Sequence, residues 1–178
     1  TIQMYRHDRL AFLQKSLEHA QINNYFLGIK IVRGAYMEKE RERAISMNYP
    51  SPIQISKTDS DKDYNKAVEF CIENHEKIYV CAGTHNEESC LFLTQLMSEK
   101  NIAHNDEHIW FSQLLGMSDH ISYNLAKKNY NVSKYVPYGP IDAVMPYLIR
   151  RAQENTSVKG QTGRELSLIE MEKRRRKG

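Results

Sequence analysis

The chain alternates short apolar runs with amphipathic stretches, one after another, along most of its 178 residues. That order constrains the fold more than any other feature. Arg9 to Gln21 carries Leu10, Leu13, Leu17 and Ala20 at helical spacing. Ile29-Lys30-Ile31-Val32 is a β-branched run of the kind buried in a parallel sheet. Met37 to Met47 reads as a charged helix, and the Pro- and Ser-rich segment Asn48 to Ser60 as a long loop. Lys62 to Glu76 is helical, with Tyr64, Ala67, Val68 and Cys71 on one face. Then come a strand at Ile78 to Ala82, a helix at Glu87 to Lys100, a strand at Ile109 to Phe111 and a helix at Asp119 to Lys128. A strand at Ser133 to Pro137 and a helix at Ile141 to Gln153, with Pro146 as a candidate kink, follow. Glu165 to Arg176 reads as a terminal helix.

Alternation of this kind predicts an α/β fold, a parallel sheet covered by helices. About four strands fit a small doubly wound sheet or the C-terminal half of a (β/α)8, TIM-like barrel. A whole barrel takes about 250 residues, so on the second reading the chain begins inside the fold. The domain it predicts spans residues 1–164, followed by a helix and basic tail at 165–178.

Composition removes several classes. A net charge of +3 is too small to argue for nucleic acid. Its excess lies in Lys173-Arg174-Arg175-Arg176-Lys177, read as a solvated tail with a peripheral membrane contact as the alternative. No run of about eighteen apolar residues is present to span a bilayer. Cys71, Cys81 and Cys90 match no zinc or redox spacing and read as reduced thiols. His85, His104, His108 and His120 form no metal-ligand pattern. No glycine-rich dinucleotide fingerprint occurs, which argues against a nicotinamide-binding Rossmann domain.

In either architecture ligands bind at the C-terminal ends of the strands. There the sequence places Lys30, Arg33, Gly34 and Tyr36, then Thr84, His85 and Asn86, then Gln113 and Leu114, and finally Tyr135. Arg150 and Arg151 follow on the last helix, with Glu154 four and three residues later, within reach of either. Two adjacent guanidiniums suit a carboxylate, because arginine offers a bidentate fork. Each residue also has a plain reading as a surface charge or a structural hydrogen-bonding group.

Taken together, five stretches resemble the proline dehydrogenase family in order and spacing. They are Lys30 to Tyr36, Thr84-His85-Asn86, Phe111 to Met117, Lys134 to Pro140, and Tyr147 to Asn155. The pattern looks closer to the monofunctional and mitochondrial-type enzymes than to the bifunctional bacterial ones, which carry Arg where Lys30 stands and Lys where Arg33 stands. The resemblance implies a barrel holding FAD, oxidation of L-proline to Δ1-pyrroline-5-carboxylate by hydride transfer to flavin N5, and a quinone as electron acceptor. It implies that Arg150 and Arg151 bind the proline carboxylate and Glu154 holds them, while Tyr135, Leu114 and Tyr36 wall the ring. Gln3 and Lys30 would lie against the isoalloxazine. Arg33, Gly34, Ala35, Thr84, His85, Asn86 and Gln113 would line the ribityl and pyrophosphate path, with Lys57 a weaker candidate. Lys30, Tyr135, Arg150 and Arg151 are the expected catalytic set, and Tyr36, Leu114, Arg151 and Glu154 would also touch the cofactor.

The family's earlier strands supply a Lys and an Asp that this chain does not contain. The resemblance therefore implies that the chain alone is inactive and that its partner is the N-terminal half of the barrel. A cytoplasmic location is expected, peripheral to the inner membrane in one reading and mitochondrial in a eukaryote. Alternatives are hydroxyproline oxidation, another flavin barrel oxidoreductase such as a methylenetetrahydrofolate reductase, and a non-catalytic carboxylate-binding module.

Overall fold

The computed structural model describes residues 1–157, 167 and 170–176. Five strands form one sheet: β1 (Ile2–Gln3), β2 (Leu27–Val32), β3 (Ile78–Gly83), β4 (Ile109–Leu114) and β5 (Val132–Tyr135). All neighbours run parallel, in the spatial order β1-β2-β3-β4-β5. A doubly wound sheet reverses its strand order at a switch point, and this one does not. Right-handed crossovers between strands laid down in sequence put every connecting helix on the same face. That is the arrangement of a parallel barrel wall.

The covered face is apolar by register. Ile2, Ile31, Ala82, Phe111 and Val132 fall opposite one another across the five strands. The first four are buried and Val132 packs against them. Each large aliphatic or aromatic side chain buried there contributes about 1.5–3 kcal/mol. The helices over it are α1 (Arg9–Ile22), α2 (Met37–Ser46), α3 (Lys57–Glu73), α4 (Glu87–Glu99) and α5 (Asp119–Lys127). Leu13, Leu17 and Ala20 of α1, Tyr64, Val68, Cys71 and Ile72 of α3, and Leu93, Leu96 and Met97 of α4 supply the matching apolar stripes. On the opposite sheet face Lys30, Cys81 and Trp110 lie level, with Gly83, Ser112 and Ser133 one step above. Trp110 is 41% exposed there.

Four helices stop in the same way. Asn24, Asn48, Asn101 and Asn129 take left-handed backbone just after α1, α2, α4 and α5. At each stop the next residue's N–H returns to a carbonyl in the last turn: Tyr25 to Ala20, Tyr49 to Ala44, Ile102 to Met97 and Tyr130 to Leu125. These are Schellman closures with asparagine in place of glycine, each with an apolar residue beyond it.

Two expectations change. A fifth strand, β1, precedes the four read from sequence; two residues are too few to show a period. The expected loop at 48–60 ends at Ser56, and α3 begins at Lys57 rather than Lys62. Ser56 Oγ accepts the Asp59 N–H at 3.1 Å, so the Ser- and Asp-rich run is a capped first turn. The loop also folds back on β1's exit, where Gln54 N–H donates to the Tyr5 carbonyl at 2.7 Å.

Burial pushes the Cys71 and Cys90 thiols up to about 12. Both therefore stay protonated through neutral pH, and thiolate is the reactive form. A disulfide reagent at mild alkaline pH is expected to leave these two unmodified in the folded protein and to modify them on denaturation. Rapid native labelling at either would contradict the packing.

Thr1–Tyr135 and Val136–Gly178 are two compact units. The second contains α6 (Ile141–Ser157), which runs through Pro146. The expected helix from Glu165 is described over 170–176, where it is helical; its first residues lie outside the described ones. There Glu172 accepts from Arg175 and Arg176 at 2.7 and 2.8 Å. Among the described residues no helix is long and apolar enough to cross a membrane.

Candidate active site

The strand C-termini of the first unit bring together most of the residues expected there. Gln3 ends β1 level with Val32 of β2, and the chain continues along β2 through Met4 N–H to Val32 O and Tyr5 N–H to Arg33 O. Lys30 lies on the face turned away from the helices. Its stem passes over Gly83: a methyl at that glycine would lie 2.9 Å from Lys30 Cε. Its ammonium stands 5.0 Å from the centre of the Tyr135 ring, inside cation–π range. Leu114 pairs with Tyr135 across β4 and β5 on that same face. Gly83, Ser112 and Ser133 leave a low row between lysine and tyrosine.

Arg33 turns the other way, toward the helices. Its Nε donates to Asp61 Oδ1 at 2.5 Å, Nη1 to Thr84 Oγ1 at 2.8 Å and Nη2 to Ser89 Oγ at 2.9 Å. The guanidinium lies 4.3 Å over the Tyr64 ring. Lys57, the first residue of α3, donates to the second Asp61 oxygen at 2.7 Å. The two cations hold the Asp61 carboxyl below its ordinary range against the opposing effect of burial.

The turn after β3 is organised around Thr84, whose Oγ1 also accepts the Asn86 N–H at 3.1 Å. Asn86 caps α4 by accepting from Ser89 N–H at 2.8 Å. His85 Nδ1 is 2.9 Å from Ser118 Oγ, and His120 Nε2 is 2.6 Å from Glu87 Oε1. These two contacts join the turn after β3 to the start of α5. Gln113 is buried between them: it donates to Thr84 O at 3.2 Å and accepts from Ser122 Oγ at 2.9 Å. Lys134 holds the Met117 carbonyl at 2.8 Å and Asp119 at 2.7 Å. Gln113 and Lys134 thus shape the loop after β4.

Gly34 has φ +111°, and Tyr5 lies against it. Tyr5 is buried, and its hydroxyl donates to Glu40 Oε1 at 2.6 Å while Arg6 donates to Glu40 Oε2 at 2.8 Å. Burial, then the Glu40 carboxylate, raises the phenol's pKa. Ala35 is half-buried, and Tyr36 stands at the N-terminal boundary of α2. In the second unit Arg150 and Arg151 lie on α6, and Arg151 stands 5.5 Å from the Tyr147 ring. The side chain of Glu154 lies outside the described residues. Among the described residues no cluster of three His, Cys, Asp or Glu could hold a metal.

Sequence reading missed Tyr5, Glu40, Asp61, Ser89, Ser118 and Ser122. These partners come from distant elements, and only the Ser56–Asp59 cap left a local signature.

A parallel barrel wall with a cationic, polar rim at its strand C-termini defines the ligand-binding end of an α/β-barrel protein. The family is then settled by comparison. The pattern of the family described as Proline dehydrogenase matches residues 1–164, and the chain belongs to that family. It is 38% identical over 186 residues to proline dehydrogenase 1, mitochondrial, of Drosophila melanogaster, covering 99% of this chain and 27% of that protein. It is 38% identical over 180 residues to hydroxyproline dehydrogenase of Xenopus laevis, covering 99% of this chain and 39% of that protein. The chain thus spans well under half the length of these relatives. The crystal structure of proline utilization A from Bdellovibrio bacteriovorus, inactivated by N-propargylglycine, matches with a TM-score of 0.82 at 28% identity. That match covers 89% of this chain and 16% of the other.

Proposed function

We propose that this chain is the C-terminal, ligand-bearing part of an enzyme that binds FAD and oxidises L-proline to Δ1-pyrroline-5-carboxylate. The observation that carries the reading is Lys30 held against Tyr135 beside the low row Gly83, Ser112 and Ser133, in a chain of this family. The residues present fit a flat ring: small side chains leave space and a cation borders it. The chemistry that FAD would supply there is a hydride acceptor and a route for the electrons to a quinone.

The chain's own residues bind and orient. Lys30 and Gln3 border the isoalloxazine, and Tyr135, Leu114 and Tyr36 wall the imino acid ring. Arg33, Gly34, Ala35, Thr84, His85, Asn86, Gln113 and Lys57 line the path toward the phosphates, directly or by holding the turns in place. Arg150 and Arg151 grip the substrate carboxylate, and Glu154 holds the pair. Fixing the reacting atoms in this way can lower the barrier by about 7–11 kcal/mol at best. Neighbouring cations also favour the neutral ring amine, the form able to lose hydride.

The domain spans residues 1–164 and is completed by the remaining strands of the barrel. The location is mitochondrial in a eukaryote, as in the relatives' names, with the basic tail solvated and a peripheral membrane contact as its alternative. Hydroxyproline is the second reading, favoured by the Xenopus relative; the bulk and hydroxyl of Tyr135 would bear on that choice. The test is spectroscopic. The complete protein is expected to be yellow and to bleach when proline is added without oxygen. A colourless protein, or a flavin that neither imino acid bleaches, would sink the reading, and comparative kinetics assigns the substrate.

A further inference from the structure

One carboxylate stands between the two cations on the phosphate path. Asp61 uses one oxygen for Arg33 Nε and the other for Lys57 Nζ. Its side chain is 29% exposed and that of Arg33 22%, so their charges are less screened than at the open surface. Lys57 differs: its side chain is 78% exposed, and an exposed pair of this spacing is weak. Lysine can therefore leave Asp61 readily.

Arg33 cannot move with the same ease. Thr84 and Ser89 accept from its two terminal nitrogens, and Tyr64 lies beneath its plane. Those three partners are neutral. They fix the guanidinium without cancelling its charge, and Asp61 alone among its hydrogen-bond partners here cancels it. Three of the five N–H groups of Arg33 are used in these bonds, which leaves two for a ligand.

We propose that Asp61 is a built-in counter-anion that occupies the Arg33–Lys57 pair and weakens its grip on a dinucleotide pyrophosphate. The inference rests on the FAD reading above. When phosphate arrives, Lys57 swings from Asp61 to the ligand, while Arg33 stays in place and presents its unused N–H groups. Asp61 thereby holds affinity down and keeps two neighbouring cations from repelling each other in the ligand-free protein.

The test compares the complete protein with its D61N form. Asparagine keeps an oxygen to accept from Arg33 Nε, and removes the charge together with the oxygen that accepts from Lys57 Nζ. Inorganic pyrophosphate and FAD, titrated calorimetrically, are expected to bind D61N about tenfold tighter at low salt. The gain should shrink at high salt. Riboflavin, which has no phosphate, is expected to bind both forms equally. An exposed substitution, K57M, should weaken pyrophosphate binding about threefold without disturbing the fold. Equal or weaker pyrophosphate binding by D61N would make Asp61 a mere brace and overturn the proposal, as would K57M binding as tightly as the unmodified protein. Failure of the unmodified protein to bind FAD or riboflavin would instead overturn the flavin reading. Flavin bound normally with pyrophosphate affinity unmoved in D61N would overturn only the counter-anion.

Discussion

Replacing Arg150 or Arg151 by alanine is expected to raise KM for proline by about a hundredfold or more while FAD remains bound. Truncating one partner of a charged, hydrogen-bonded pair in a desolvated site costs about 2–5 kcal/mol, and each 1.4 kcal/mol is about a factor of ten. Both residues lie on α6, where neighbours project about 100° apart. Their backbone directions diverge, so two forks can approach one carboxylate from different sides. The Arg151 guanidinium is 5.5 Å from the ring of Tyr147, four residues earlier, and stacking of that kind restrains the fork. Lysine at either position should restore little, because a point charge does not reproduce two parallel N–H bonds. The measurement is steady-state kinetics beside the flavin absorbance. Unchanged proline kinetics in both alanine variants would end the carboxylate clamp, whatever the flavin does.

The Gly34→Ala protein is expected to be less stable by about 3 kcal/mol or more, and to lose flavin affinity as well. Two costs add. A backbone at φ +111° is one that L side chains rarely adopt. The added methyl would also fall on Cδ1 and Cε1 of Tyr5 and stand 2.9 Å from Gln3 Oε1. Tyr5 cannot yield easily, because it is buried and its hydroxyl is bound to Glu40. The strain would pass to Gln3 and to the Arg33–Tyr36 turn, both on the proposed flavin path. For a protein of about 150–250 residues the loss corresponds to a fall in Tm of roughly 10 °C, and to a smaller fall in a longer one. Thermal unfolding of the Ala variant, alone and with the Y5A change that makes room, separates the two costs. A partial rescue by the double change is expected. An Ala variant as stable as the original would mean that Tyr5 does not press on this glycine.

Much of the fold was legible because a buried parallel sheet writes itself locally. Ile29 to Val32 and Ile78 to Ala82 place β-branched or small residues at most positions, bounded by turn residues, and both proved to be strands. Leu13, Leu17 and Ala20 declared the inner face of α1 by spacing alone. Errors fell where polar residues serve two purposes. Ser56 to Ser60 reads as loop by composition, yet Ser56 caps a helix, and Asp61 just beyond faces Arg33. Asparagine at the ends of four helices was equally easy to pass over, since its left-handed backbone shows only in three dimensions.

Arg33 illustrates the division. Its place at the end of a strand, in the series Lys30 to Tyr36, follows from the one-dimensional pattern. That its guanidinium turns toward the helices depends on partners 28, 51 and 56 residues away. Gln113 is similar: its position at the end of β4 was readable, its burial between Thr84 and Ser122 was not. The amino-acid order alone determined the alternation of elements, the family and the residues gathered at the strand ends, because periodicity and motif spacing are local properties of a chain. The tertiary structure alone decided the strand order and which polar side chains are spent on one another. Hydrogen bonds between distant elements depend on distances of a few tenths of an ångström, and no local pattern encodes those.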